Sequence, residues 1–271
     1  MDNSFPKILP VRAPEKEKTK YVHPNLPQPP SLLLMISPVK TGKSTIISNL
    51  FLNENFYGQE HFDQTIVISP TIHNDKTSRF LAKCADCYDE YSDELIHQII
   101  GDQLSYNDDL SLRPSIALVL DDIIGIIRRE AAVNSLASRF RHYGIELLLM
   151  SAQNFRKVSP VIRSNATHVI VGSPFPNSSQ LIKISEEYGD MFGGKENFIK
   201  IYHKATPNKY DFLYLDLSEN PPIARRNFGE IIAYGGSSEV MSDGIVSNMG
   251  NQPQSQGSSV NDLQKDNENK K

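Results

Sequence analysis

The chain has 271 residues, 39% of them apolar, and 28 Lys and Arg against 32 Asp and Glu, a formal net charge of -4. That length allows one well-packed domain with an appendage, and the charge excludes a pervasive positive field, so a nucleic-acid partner would have to meet a local basic surface or an assembled ring of subunits. No apolar stretch is long enough to span a bilayer, the polar start Met1-Asp2-Asn3-Ser4 is not expected to open a signal peptide, and Cys84 and Cys87 form a lone Cys-x-x-Cys with no second pair for a tetrahedral metal site, which suits a reducing compartment.

Residues 1–30 carry five prolines from Pro6 to Pro27, then Pro29 and Pro30, around Glu15-Lys16-Glu17-Lys18. Such a segment cannot build a core and reads as an extended arm. Short continuous apolar runs follow at Leu32 to Ile36, Thr65 to Ser69, Ile116 to Leu120, Glu146 to Ser151 and His168 to Val171, the pattern of parallel strands covered on both faces. Between them, Lys43 to Leu52, Ser92 to Gly101, Arg129 to Tyr143 and Ser178 to Tyr188 read as helices, which makes the chain an α/β protein with a central, mainly parallel sheet and helices on both faces. Phe198 to His203 and Tyr210 to Leu217, separated by Thr206-Pro207-Asn208-Lys209, predict a hairpin at the sheet margin. From Gly235 onward no aromatic residue occurs and Ser, Asn, Gln, Gly and charged residues dominate, so residues 235–271 read as a disordered tail, leaving residues 31–234 as the domain.

The first chemical signal follows the first strand. Ser37-Pro38-Val39-Lys40-Thr41-Gly42-Lys43-Ser44, with Thr45 after it, stands between that strand and a helix and matches Gly-x-x-x-x-Gly-Lys-Ser except that Ser37 takes the place of the first glycine. A strand, a tight turn and a helix start point backbone N–H groups at an anion-sized hollow. There Lys43 would reach the β and γ phosphates of ATP, and the Ser44 hydroxyl would ligate Mg²⁺. Asp121 and Asp122 end the apolar strand Ile116 to Leu120, and in open sheets ligands gather at the carboxyl ends of strands, where the loop also emerges. Asp121 is the expected Mg²⁺-side carboxylate, and Asp122 the group to orient or activate the attacking water. Asp-Asp after a strand can also simply cap a helix. Gln153, after Leu147 to Ala152, suits a sensor beside the γ-phosphate. Arg141 closes a helix at Ser138 to Gly144; it can complement the helix dipole, or serve a neighbouring subunit's γ-phosphate as an arginine finger. Arg163 and Asn165 suit a subunit edge, a nucleotide sensor or a local cap. Arg128 and Arg129 are candidates for DNA phosphate contact, or a solvated charge pair.

In this order, the loop ending Gly42-Lys43-Ser44, Asp121-Asp122, Arg141-His142, Gln153, Ile162 to Asn165 and Asn227-Phe228 resemble the packaging ATPases of large eukaryotic DNA viruses and their smaller relatives, a poxvirus-like branch of the FtsK–HerA group of DNA-pumping motors. The resemblance covers roughly residues 30–233. It implies a RecA-like P-loop NTPase core and a homo-oligomeric ring, pentameric or hexameric, that hydrolyses ATP with Mg²⁺ to drive double-stranded DNA into a preformed capsid. Arg141 would act across the subunit boundary, the ring would dock on a capsid or portal-vertex protein, and the setting would be the virion or the host cytoplasm. Ser37 for glycine and Asp122 for the usual Glu are departures. They leave open a P-loop ATPase of another DNA-handling process, or an ATP-binding structural virion protein with little turnover.

Overall fold

Leucine-rich strands with no polar face must be covered on both sides, and the arrangement that does so here is a nine-stranded sheet between two apolar layers. The computed structural model describes residues 20–74, 78–125, 131–175 and 177–236. Most of the proline-rich arm, most of the polar tail and the Arg128-Arg129 pair lie outside those residues. The strands are β1 (Ser31–Ile36), β2 (Gln64–Ile68), β3 (Asp86–Tyr88), β4 (Ile116–Leu120), β5 (Ile145–Ala152), β6 (His168–Val171), β7 (Leu213–Asp216), β8 (Ile223–Arg226) and β9 (Glu230–Tyr234), in the order β3-β2-β4-β5-β1-β6-β7-β8-β9. Strands β1 to β6 pair in parallel; β7, β8 and β9 add an antiparallel margin.

Alternation along each strand sorts the core into two layers. Leu32, Leu34 and Ile36 face one way with Leu118, Leu148 and Val169, while Leu33 and Met35 face the other way with Val119, Leu149 and Ile170. The first layer is covered by α2 (Asp93–Leu104), α3 (Ala132–Arg139), α4 (Pro160–Asn165), α5 (Ser178–Tyr188) and α6 (Lys195–Ala205). The second is closed by α1 (Lys43–Leu52) together with Leu26, Tyr57, Phe62 and Leu81. The result is the RecA-like architecture expected from the sequence, an α/β fold with helices on both faces of a mostly parallel sheet.

Helix boundaries follow local chemistry. Ser92 caps α2 by accepting from the Leu95 N–H at 3.1 Å, and Asn177 caps α5 by accepting from Ser179 N–H at 2.8 Å. The helix expected through Tyr143 is α for Ala132–Arg139 and tightens to a 3₁₀ turn over Phe140–Tyr143, which Gly144 ends at φ 70°.

One expectation is overturned. Phe198 to His203 lies within α6 and is no strand: Phe198, Ile201, Tyr202 and Ala205 are buried, a spacing of three and four that puts all of them on one helical face. Tyr210 to Leu217 does contain a strand, β7, whose antiparallel partners are β6 and β8.

Candidate nucleotide-binding site

Strand order decides what meets at the carboxyl edge of the sheet. β5 lies between β1 and β4, so the loop after β1, the Asp pair after β4 and Gln153 after β5 emerge side by side. They border a pocket of about 770 Å³ lined by residues 38–40 and 42–46 with Asp122, Gln153, Lys209 and Tyr210.

The loop between β1 and α1 is shaped by its own hydroxyls and by two left-handed residues. Thr41 Oγ1 donates to the Pro38 carbonyl at 2.7 Å and also meets Ser37 Oγ, while Lys40 and Gly42 have φ of 63° and 91°. Gly42 is the N-cap of α1 and offers no side-chain cap, so the first-turn N–H groups stay available to an anion. Ser37 is buried, and its side chain has room because residue 172 is glycine: a Cβ there would lie 2.3 Å from Ser37 Oγ and 2.9 Å from Ser37 Cβ. The atoms that a glycine at 37 would have spared are accommodated by the glycine after β6.

Lys43 is 8% exposed, with its ammonium 3.5 Å from Asp121 Oδ1 and ion-paired with Asp122 Oδ1. The two aspartates differ in environment. Asp121 is buried and fixed by two hydroxyls, Ser151 Oγ donating to Oδ1 at 2.5 Å and Ser69 Oγ to Oδ2 at 3.1 Å. Asp122 lines the pocket in a left-handed conformation, φ 56°, which turns its carboxylate off the line of the strand toward Lys43. Its N–H donates to Ser151 Oγ at 3.0 Å, and Gln153 Nε2 donates to its Oδ2 at 3.1 Å. Ser151 thus holds both aspartates at once. Neither it nor Ser69 stood out in the sequence, since a serine at a strand end carries no signal without its neighbours.

The remaining candidates lie elsewhere. Ser44 and Thr45 line the pocket with the loop. Arg141 is exposed in the 3₁₀ turn that leads into β5, so it sits at the opposite end of that strand from Gln153 and outside the pocket of its own chain. Arg163 pairs with Glu187 Oε2 at 2.5 Å and lies over the Phe155 ring, 5.1 Å from its centroid, and Asn165 Nδ2 donates to the Val161 carbonyl at 2.8 Å, a local cap. Burial, with Cys84 and Asp86 nearby, pushes the Cys87 thiol up to about 11 and burial raises Cys84, so neither is poised as a thiolate.

Hard oxygen donors suit Mg²⁺, which takes one or two carboxylates together with phosphates and keeps several waters. Here those donors are the Ser44 hydroxyl and the aspartate pair, whose two negative charges exceed the single positive charge of Lys43. Among the described residues no cluster of three or more His, Cys, Asp or Glu offers an all-protein metal cage.

No protein-family model matches the chain. It is 28% identical over 190 residues to Uncharacterized protein 075L of Invertebrate iridescent virus 6, a match spanning 69% of this chain and 71% of the other. The DNA-packaging ATPase B204 from Sulfolobus turreted icosahedral virus superposes with a TM-score of 0.54 at 20% identity, covering 73% of this chain and 98% of that one. The genome packaging NTPase B204 from Sulfolobus turreted icosahedral virus 2, in complex with AMPPCP, gives a TM-score of 0.52 at 17% identity over 72% and 96%. At such identities the likeness is one of fold: this chain shares its RecA-like architecture with the genome-packaging NTPases of archaeal viruses.

Proposed function

We propose that this chain is an ATP-driven motor that moves double-stranded viral DNA into a preformed capsid as a homo-oligomeric ring, with residues 31–234 as its ATPase domain. One observation carries the reading: Lys43 of the loop after β1 lines one pocket with Asp122 and Gln153, is ion-paired with Asp122 and lies 3.5 Å from the buried Asp121, and Gln153 is bonded to Asp122. The likeness in fold to viral packaging NTPases and the order of the motifs support the choice among P-loop ATPases. On the order of the motifs alone, we also propose the narrower placement beside the packaging ATPases of large eukaryotic DNA viruses, in a virion or host-cytoplasm setting.

The residues divide the work as follows. N–H groups of residues 42–45 bind phosphate oxygens, and Lys43 brings its charge to the β and γ phosphates. Asp122 accepts a hydrogen bond from the attacking water and orients it in line; Gln153 fixes the rotamer of Asp122 and exchanges that bond when the γ-phosphate leaves. Ser44 and Asp121 are the residues that would hold Mg²⁺, which would supply positive charge to offset the phosphates. Ser69 and Ser151 keep Asp121 in place. Arg141 serves the pocket of a neighbouring subunit, consistent with its distance from its own.

Hydrolysis of ATP by the purified protein, with and without linear double-stranded DNA, tests the reading. Turnover in the wild type that Lys43→Ala abolishes is expected. A wild type that binds ATP yet never turns it over, even assembled and with DNA, would sink it.

A further inference from the structure

Two residues of the pocket have no task in the phosphate chemistry. Lys209 and Tyr210 come from the loop between α6 and β7, far in sequence from the loop after β1, yet line the same pocket, and Tyr210 packs close to that loop: a Cβ on Gly42 would lie 3.4 Å from Tyr210 Cδ1. Tyr210 is 53% exposed, and its backbone has φ 74°, an unfavourable conformation for a bulky residue. That conformation is enforced from both sides. Asp211 Oδ2 accepts from Asn208 N–H and Nδ2 at 3.2 and 3.0 Å, Asp211 Oδ1 accepts from Asn227 Nδ2 at 3.1 Å, and Asn227 Oδ1 accepts from Phe212 N–H at 3.0 Å. A strained aromatic residue, held rigidly and half open to an anion-binding pocket, calls for a ligand with a flat face.

A triphosphate is served by N–H groups and Lys43 and gains nothing from an aromatic ring; the nucleobase of the same molecule does. We propose that Tyr210 is the stacking platform for the nucleobase of a nucleoside triphosphate, read through its π-face without selection at the base edge. The Lys209 ammonium, 4.8 Å from the Tyr210 centroid, adds positive charge at the same rim. This rests on the nucleotide reading of the pocket and extends it from the phosphates to the base.

Calorimetric titration with ATP, GTP and inorganic tripolyphosphate, each with Mg²⁺, separates base from phosphate. Tyr210→Ala is expected to weaken ATP and GTP alike by about tenfold, in the range measured for one stacked base, and to leave tripolyphosphate unchanged; Tyr210→Phe keeps wild-type binding. Tyr210→Gly, which relieves the positive φ, should raise the melting temperature and still lose nucleotide affinity, which a merely structural role would not do. Equal weakening of tripolyphosphate, unchanged nucleotide binding in Tyr210→Ala, or a Tyr210→Phe variant as weak as the alanine would each overturn the stacking role while leaving the phosphate site standing. If wild type binds neither ATP nor tripolyphosphate, the nucleotide reading falls with it.

Discussion

Ser37 and Gly172 are a pair, although 135 residues apart in sequence. Adding a methyl group at 172 would drive it into Ser37 Oγ, within a turn where Ser37 N–H also donates to the Ala152 carbonyl at 3.0 Å and Gly172 N–H to that of Ile36 at 2.8 Å. Backbone on both sides leaves little room to yield, so Gly172→Ala should destabilise by about 1–3 kcal/mol, the usual cost of overpacking. Ser37→Gly removes the clashing atoms. The double variant should recover most of the loss, and urea denaturation of the four proteins reads the coupling directly. Additive losses would mean that the serine is tolerated for another reason. Asp122 shows the same interdependence: its left-handed backbone is bearable because Ser151 in β5 and Gln153 directly after that strand bond to it.

At the level of elements, the antiparallel joint between β6 and β7 is fastened by a buried polar group. Asp216 Oδ1 lies 3.3 Å from His168 Nε2 and accepts from Ser218 Oγ at 2.6 Å and Ser218 N–H at 3.1 Å, and the His168 ring stacks on Tyr214. Burial acts to raise the Asp216 carboxyl, but the bonds from His168 and Ser218 outweigh it and hold the group down at about 2. A folded-state value below the unfolded value means stability that is present above the ordinary carboxylate range and lost as pH falls through it toward 2. The difference in unfolding midpoint between wild type and Asp216→Asn should therefore be largest above pH 5 and shrink between about pH 4 and pH 2. A difference independent of pH would show that packing, and not charge, makes the joint. The adjoining aromatic cluster of Phe56, Phe212, Tyr214 and Phe228 ties the turn between β8 and β9 to the layer beneath α1, on the same side as the loop carrying Tyr210.

For the whole molecule, the position of Arg141 has a consequence. A residue at the amino end of β5 is about 25 Å from the carboxyl end of an eight-residue strand, too far for one side chain to cross. If Arg141 contributes to hydrolysis, it does so on another copy. Arg141→Ala should then retain ATP binding and lose turnover on the order of 10³-fold. Mixing Lys43→Ala and Arg141→Ala proteins should restore part of the activity, because hybrid interfaces unite an intact loop with an intact arginine. Mixtures as inactive as their components would count against action in trans. No described helix is long and apolar enough to cross a membrane.

Features encoded by near neighbours are legible in the chain before any folding is known. Five of the parallel strands, the turn that leads into α1, and the Asp pair at the end of β4 are legible in runs of apolar residues and in spacing, because a strand covered on both faces must be apolar throughout. Phe198 to His203, within α6, reads as a strand in the sequence because its aromatic residues mimic β propensity over six positions, while their period of three and four shows only when burial is known. Tertiary structure alone decided which residues meet: β5 inserted between β1 and β4, Ser151 bridging both aspartates, Gly172 making room for Ser37, and Tyr210 delivered from far along the chain to Gly42. Each of these depends on strand order and register, which are set by the packing of the whole sheet and leave no trace in any local window of sequence.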